Sequence, residues 1–254
     1  MISIFEIKTI ARKNGVPEST VERDYAQNWL LFGLSKTSLK MALKGGTGIR
    51  KVYIENYRFS DDLDFTLLKG YSKETILNKL AKSVKNCQDD NLIIRETLNG
   101  YEAIVYFRVV RTSGAPLKIK IDLTKNENEL ILLPLKKKRI LHPYSDSDEC
   151  NANIIVYSLE EIFAEKIRSL FQRTRPRDLY DVWKLKDMVK MDTVINILPD
   201  KFRIKNVHPN LKSLKEREDY YKVAWQRSLV HQINPLPKFE KVWNDVLEFL
   251  EELF

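Results

Sequence analysis

Apolar residues recur along this chain with two different periods, and the change from one to the other divides it. Ile4, Ile7, Ile10 and Ala11 fall at helical spacing near the N-terminus. Pro17, at a favoured first-turn position, opens a second predicted helix through VERDYAQNWLLFGLSK (21–36). SLKMALKGG (38–46) ends in glycines, which predicts a chain stop and a turn. Residues 62–67 alternate as a half-buried strand, and KETILNKLAKSVKN (73–86) puts Ile76, Leu77, Leu80, Ala81 and Val84 on one helical face. YEAIVYFRVV (101–110) is β-branched and aromatic, hence a strand. After the turn signal SGAP (113–116), LKIKIDLT (117–124) sets Leu117, Ile119, Ile121 and Leu123 against Lys118, Lys120 and Asp122. Residues 125–153 read as polar and irregular, with a basic knot at Lys136-Lys137-Lys138-Arg139. From Ser158 the pattern is helical to the end, interrupted near NVHPN (206–210) and INPLP (233–237). The expectation is an α/β domain over 1–150 with N-terminal helices, then a helical domain over 151–254.

Composition narrows this picture little. At 254 residues, with 43% hydrophobic and 31% charged residues, the chain is of a size and balance to fold around a sizeable core. The net charge of +8 favours an anionic partner without naming one. Cys87 and Cys150 are too few for a disulfide framework or a zinc site and fit free thiols in a reducing compartment. The N-terminus has no long apolar core of a signal peptide, and no run reaches the roughly eighteen apolar residues of a membrane span. A cytoplasmic protein with no membrane partner is expected.

Chemistry enters at LKGGTGIRKVYIENYRFSDDLDFTL (43–67). Successive strand side chains alternate, so Asp62 and Asp64 share one face and Leu63, Phe65 and Leu67 the other. Two adjacent carboxylates repel unless a cation lies between them, and Mg²⁺ takes one or two carboxylates together with phosphate oxygens. Asp122 has the parity to join them from a second strand. Gly45 and Gly46 would let backbone N–H groups approach a triphosphate without a Cβ in the way. A surface turn followed by solvated carboxylates is the competing reading. The glycine turn and the third aspartate weigh against it.

A second constellation lies in YSLEEIFAEKIRSLFQRTRPRDLYDVWKL (157–185). Ser158 and Glu161 form a capping box that starts a helix. At about 100° per residue, Lys166 and Arg173 fall inside the stripe of Leu159, Ile162, Phe163, Ile167 and Leu170, while Glu165 and Arg168 lie on the solvated side. A lysine aimed inward needs a partner or an anion, unless its stem packs and its head reaches water. Pro176 opens the next helix, which places Asp178 in the first turn, where the helix dipole alone would account for it. Asp181 lies one turn on, beside Val182 and Leu185, and needs a partner such as Lys166, Arg173 or a substrate hydroxyl.

Other features carry less. His142, His208 and His231 lack metal-ligand spacing, no nucleophile elbow is present, and Lys44 precedes the glycines, which excludes a Walker A loop. Lys201, Arg203, Lys205, Lys212, Lys215 and Arg217 are either a nucleic-acid footprint or a solvated helix face.

The succession LKGGTGIRKVY, RFSDDLDF, IDLT and EEIFAEKIRSLFQRTRPRDLYDVWKL, with VERDYAQNWLLFGL upstream, resembles the AbiEii/AbiGii nucleotidyltransferase-like toxins over roughly residues 17–190. Gly48 departs from the pattern, which more often has alanine or leucine there. The resemblance implies a DNA polymerase β-type mixed sheet flanked by helices, an α/β (α+β) fold, and a helical C-terminal domain. It implies a toxin of a bacterial toxin–antitoxin or phage-defence system, with an antitoxin encoded nearby. The implied activity is transfer of nucleotides from an NTP, with Mg²⁺ (or Mn²⁺), to an acceptor hydroxyl, foremost the 3′ end of tRNA. On that similarity Asp62 and Asp64 bind metal, with Asp122 an optional third ligand. Gly45, Gly46, Thr47 and Ser60 form the phosphate side with Lys166 and Arg173. Asp178 or Asp181 carries the last acidic role, Asp178 being favoured. The alternative is a non-catalytic nucleotide- or antitoxin-binding protein on the same fold, and a basic RNA-binding module is a third reading.

Overall fold

The computed structural model describes residues 2–84, 88–110 and 114–254, with the backbone alone for 88–91. Cys87, the end of the predicted 73–86 helix and Ser113 of the SGAP turn lie outside the described residues. The chain divides into two compact units, one of Met1–Glu129 and Leu135–Tyr157, the other of Leu130–Pro134 and Ser158–Phe254. Among the described residues no helix is long and apolar enough to cross a membrane.

The first unit is built on a seven-stranded mixed sheet. Its strands are β1 (Met41–Lys44), β2 (Asp62–Leu67), β3 (Gln88–Thr97), β4 (Gly100–Phe107), β5 (Leu117–Lys125), β6 (Lys136–Arg139) and β7 (Asn153–Val156). They lie in the order β3-β4-β5-β2-β1-β7-β6. β2 runs parallel to β5 and β1 parallel to β7, while the other neighbours are antiparallel. The predicted alternation produces the core: Leu63, Phe65, Leu67, Ile119, Ile121 and Leu123 are all buried. They pack with Leu30, Leu31 and Leu34 of α2 (Glu18–Ser35) and with Ile76 and Leu80 of α4 (Lys73–Ser83). Helix α1 (Ile4–Asn14) begins at the Ser3 cap, ends at Gly15 with φ 59°, and buries Ile7 and Ala11 against Val21 and Tyr25 of α2. Between β1 and β2 the chain makes a short helical turn α3 (Gly45–Gly48), continued by a π-helical turn over Ile49–Tyr53.

Four strands were not read from periodicity: β1, β3, β6 and β7. β1 is buried at all four positions, so it shows no alternation. β6 is the basic knot, exposed at all four positions, so no apolar face marks it. β7 is only four residues long.

The second unit centres on α5 (Leu159–Gln172), which packs against α6 (Pro176–Leu185), α7 (Met191–Ile204) and α8 (Leu211–Lys215). α9 (Glu218–Leu229) and α10 (Phe239–Leu253) pack on α6, and Trp183 Nε1 donates to Asp245 across the α6–α10 interface at 2.8 Å. Because α5 has neighbours on several sides, its wheel has no broad solvated face. Arg168, expected in solvent, is buried, and Glu165 is mostly covered and pairs with Lys201 at 3.2 Å. Half of the predicted capping box forms. Ser158 Oγ accepts from the Glu161 N–H, but the Glu161 carboxylate accepts from the N–H groups of Leu132 and Leu133 and pairs with Lys201. These bonds explain why 130–134 belongs to the helical unit. They also remove Lys201 from any surface footprint, since it is buried.

Candidate active site

β1 delivers the chain into the glycine turn, and β1 pairs with β2 so that Lys44 lies opposite Asp64. Gly45 has φ +70°, a left-handed conformation that glycine adopts without steric cost. A Cβ there would lie 2.8 Å from Asp64 Oδ2, so the bare backbone is what lets the turn approach the carboxylate. On Gly46 a Cβ would lie 2.8 Å from an Arg58 guanidinium nitrogen and 3.3 Å from Ser60 Oγ. Thr47 is buried, with its hydroxyl 2.9 Å from Ser60 Oγ and within hydrogen-bonding reach of the Asp62 carbonyl. Thus Gly45, Gly46, Thr47, Ser60, Asp62 and Asp64 meet in one place. Thr47 faces inward there and ties the turn to the start of β2.

Asp62 and Asp64 are half-buried, and Asp64 is in register with Asp122 of β5. Asp122 is already held by Lys120, two residues back on its own strand, at 3.1 Å. Among the described residues no three His, Cys, Asp or Glu side chains are grouped to hold a metal. The donor set is therefore a carboxylate pair beside a Cβ-free turn. That set suits Mg²⁺, which completes its shell with water and substrate phosphate.

Two supports of this site escaped the sequence reading. Arg58 is buried under Gly46, and a single arginine between Tyr57 and Phe59 gives no periodic signal. Beyond the glycines, Arg50 and Lys51 reach back to Asp24 of α2. Arg50 Nε lies 2.5 Å and Lys51 Nζ 2.7 Å from its carboxylate, which also accepts from Tyr144 at 2.7 Å. Burial alone would raise the Asp24 pKa, but Arg50 and Lys51 overcome it and hold the carboxyl below its usual range. Burial lowers the Lys51 pKa to about 8 against the opposing pull of Asp24. Nearby Cys150 is a buried free thiol, pushed up to about 12 by desolvation.

In the helical unit Lys166 is buried as expected and holds both later acids. Its ammonium lies 2.8 Å from Asp178 Oδ1 and 2.7 Å from Asp181 Oδ2. Arg173 reaches the second Asp178 oxygen at 2.8 Å. It does so from beyond the helix: α5 stops at Gln172 and Arg173 is extended, so its wheel position did not apply. Burial works to raise the Asp178 pKa. Lys166 first and Arg173 second overcome it and keep the group ionised well below the usual carboxylate range.

Solved structures share this fold. The chain superposes on MenT4, a nucleotidyltransferase toxin of Mycobacterium tuberculosis, with a TM-score of 0.70 at 15% identity, covering 100% of this chain and 90% of that one. JHP933 of Helicobacter pylori gives 0.64 at 17% identity, covering 94% and 93%. A putative nucleotidyltransferase of the same species gives 0.64 at 17%, covering 94% and 96%. No curated protein sequence matches. A family model described as nucleotidyl transferase AbiEii toxin, type IV toxin–antitoxin system, matches residues 29–248. With nearly the whole chain inside that match, and the glycine turn, the aspartate pair and the Lys166 cluster within it, the chain belongs to the AbiEii nucleotidyltransferase toxin family.

Proposed function

We propose that this nucleotidyltransferase is metal- and NTP-dependent and that its acceptor is RNA, foremost a tRNA 3′ end, with a cognate antitoxin restraining it. The observation that supports the reading best is the Gly45 backbone pressed against Asp64, beside Asp62 on the same side of β2. Asp62 and Asp64 would hold the divalent ion, which when bound supplies Lewis-acid polarisation of the phosphates. The acceptor oxygen forms a bond to the α-phosphorus, the α–β phosphoanhydride breaks, and pyrophosphate leaves. The acceptor proton passes to a site carboxylate. Gly45 and Gly46 leave room for phosphate oxygens at the backbone, and Arg58 beneath them holds the turn in shape. In the helical unit Arg173, 41% exposed and sharing Asp178 with Lys166, offers positive charge to an anionic substrate. Asp178, with its pKa held low, is a poor proton acceptor, so its role is to fix Lys166, together with Asp181. Asp122 is a spare ligand whose neighbour Lys120 competes for it.

The test is transfer of labelled NTP to total RNA and to protein, comparing the intact chain with Asp64→Ala. Labelling of RNA that needs Mg²⁺ and disappears in the variant supports the reading. Equal labelling by both proteins, or nucleotide binding without turnover in the intact chain, defeats it.

A further inference from the structure

We propose that β6 is a docking edge for the backbone of the acceptor RNA, an assignment that deepens the reading above and rests on it. β6 is an outer strand of the sheet, and its whole sequence is Lys136-Lys137-Lys138-Arg139, exposed at every position. Three buried lysines are matched by carboxylates: Lys51 by Asp24, Lys166 by Asp178 and Asp181, Lys201 by Glu161. Among the described residues none of the four β6 side chains has a carboxylate within ion-pair distance, so their charge is presented outward. Successive strand side chains alternate, which places two cations on each side of the edge, about 7 Å apart along it. That spacing is of the order of the step between phosphates of an extended nucleic-acid strand.

The register ties this edge to the aspartates. Lys136 pairs with Val156, Val156 with Leu43, and Leu43 with Phe65, the residue after Asp64. The basic edge therefore lies three strand spacings, roughly 14 Å, from the strand that carries Asp62 and Asp64. Its Lys136 end is the end beside the glycine turn. An RNA backbone lying on β6 needs only a few nucleotides to bring its terminal hydroxyl to β2. Lysines on an outer strand also oppose pairing with another strand, so the edge favours a polyanion over a protein β-strand. Lys138 lies over the Tyr53 ring at 5.0 Å, which fixes one cation of the row in place.

Binding of bulk tRNA to the full chain without NTP, measured by anisotropy between 50 and 200 mM salt, tests the proposal. Replacing all four residues with glutamine should weaken binding more than tenfold at low salt and reduce the log–log salt slope by about 3, near 0.7 for each phosphate no longer neutralised. A variant with Lys136, Lys137 and Lys138 changed to arginine should keep both affinity and slope. Unchanged tRNA affinity and slope in the glutamine variant overturns the assignment. So does loss of binding to anionic vesicles or an acidic protein partner with tRNA binding intact. Asp64→Ala should bind tRNA as the intact chain does. If it also labels RNA normally while the glutamine variant loses binding, the docking edge stands and the catalytic reading falls.

Discussion

A cluster of opposite charges is buried around Asp24 in the sheet unit and another around Lys166 in the helical unit, and the two are built to different ends. In the sheet unit a single carboxylate, Asp24, is gripped by Arg50, Lys51 and Tyr144, and Lys51 is almost wholly sealed from solvent. In the helical unit a single lysine, Lys166, is gripped by Asp178 and Asp181, while the Arg173 that completes the cluster is 41% exposed. The most exposed member of the first is Arg50, at 10%, and the cluster fixes α2 to the segment that follows the glycine turn. The second ends in a guanidinium that meets water. Burial of charge is common to both, so burial alone does not mark a site. What differs is whether a member of the cluster remains reachable.

The comparison can be broken experimentally, beginning with the sealed cluster. Asp24→Ala leaves Arg50 and Lys51 without their buried counter-charge and should cost about 3–5 kcal/mol, read from the denaturation midpoint. A loss under about 1 kcal/mol would show that the cluster is not sealed. Lys166→Ala leaves two carboxylates facing each other, although either can relax by taking a proton. Its expected stability loss is about 2–3 kcal/mol, with transfer activity falling much further than stability explains. Activity retained in a folded Lys166→Ala protein would reduce that cluster to a scaffold like the first.

Asp178 and Lys51 link stability to pH in different ways. Asp178 has a folded pKa below its ordinary 3.8, so the stability it supplies is complete above that value and is lost as pH falls below it. Asp178→Asn should therefore make acid unfolding shallower. Lys51 acts at higher pH. Its folded pKa is about 8 against 10.5, so between these values the unfolded chain binds the extra proton and this residue's contribution to stability rises with pH. Unfolding of Lys51→Met from about pH 7 to 10.5 should lack that rise. The smallest effect belongs to Asp122→Asn. The Asp122–Lys120 pair is 37% and 40% exposed, so its loss should move stability by less than about 1 kcal/mol. A large drop in transfer at unchanged stability would promote Asp122 from spare to required ligand.

Much of the site could be read before any coordinates. Asp62 and Asp64 share a side because strand geometry has period two, and Gly45 takes a left-handed φ that a residue with a Cβ would resist. Lys166 is buried with Asp178 and Asp181 because helical period placed it in an apolar stripe, where a charge has to find partners. Arg58, Asp24 and Lys51 were not legible as supports. Their roles come from pairings between residues up to 120 positions apart, or from a loop with no period. Arg173 and Arg168 were misplaced for a related reason: a wheel assumes a helix that continues and a face left open, and α5 has neither property there.

By itself, then, the sequence determined the local periods, the glycine turn, the pairing of aspartates on one side of a strand, and the family, because these depend on residues close together in the chain. Only the tertiary structure decided which charges neutralise which, that Lys120 already occupies Asp122, that 130–134 joins the helical unit, and that four consecutive cations form an outer strand. Those outcomes depend on which elements are packed side by side. At those distances desolvation and ion pairing act between residues that the sequence keeps far apart.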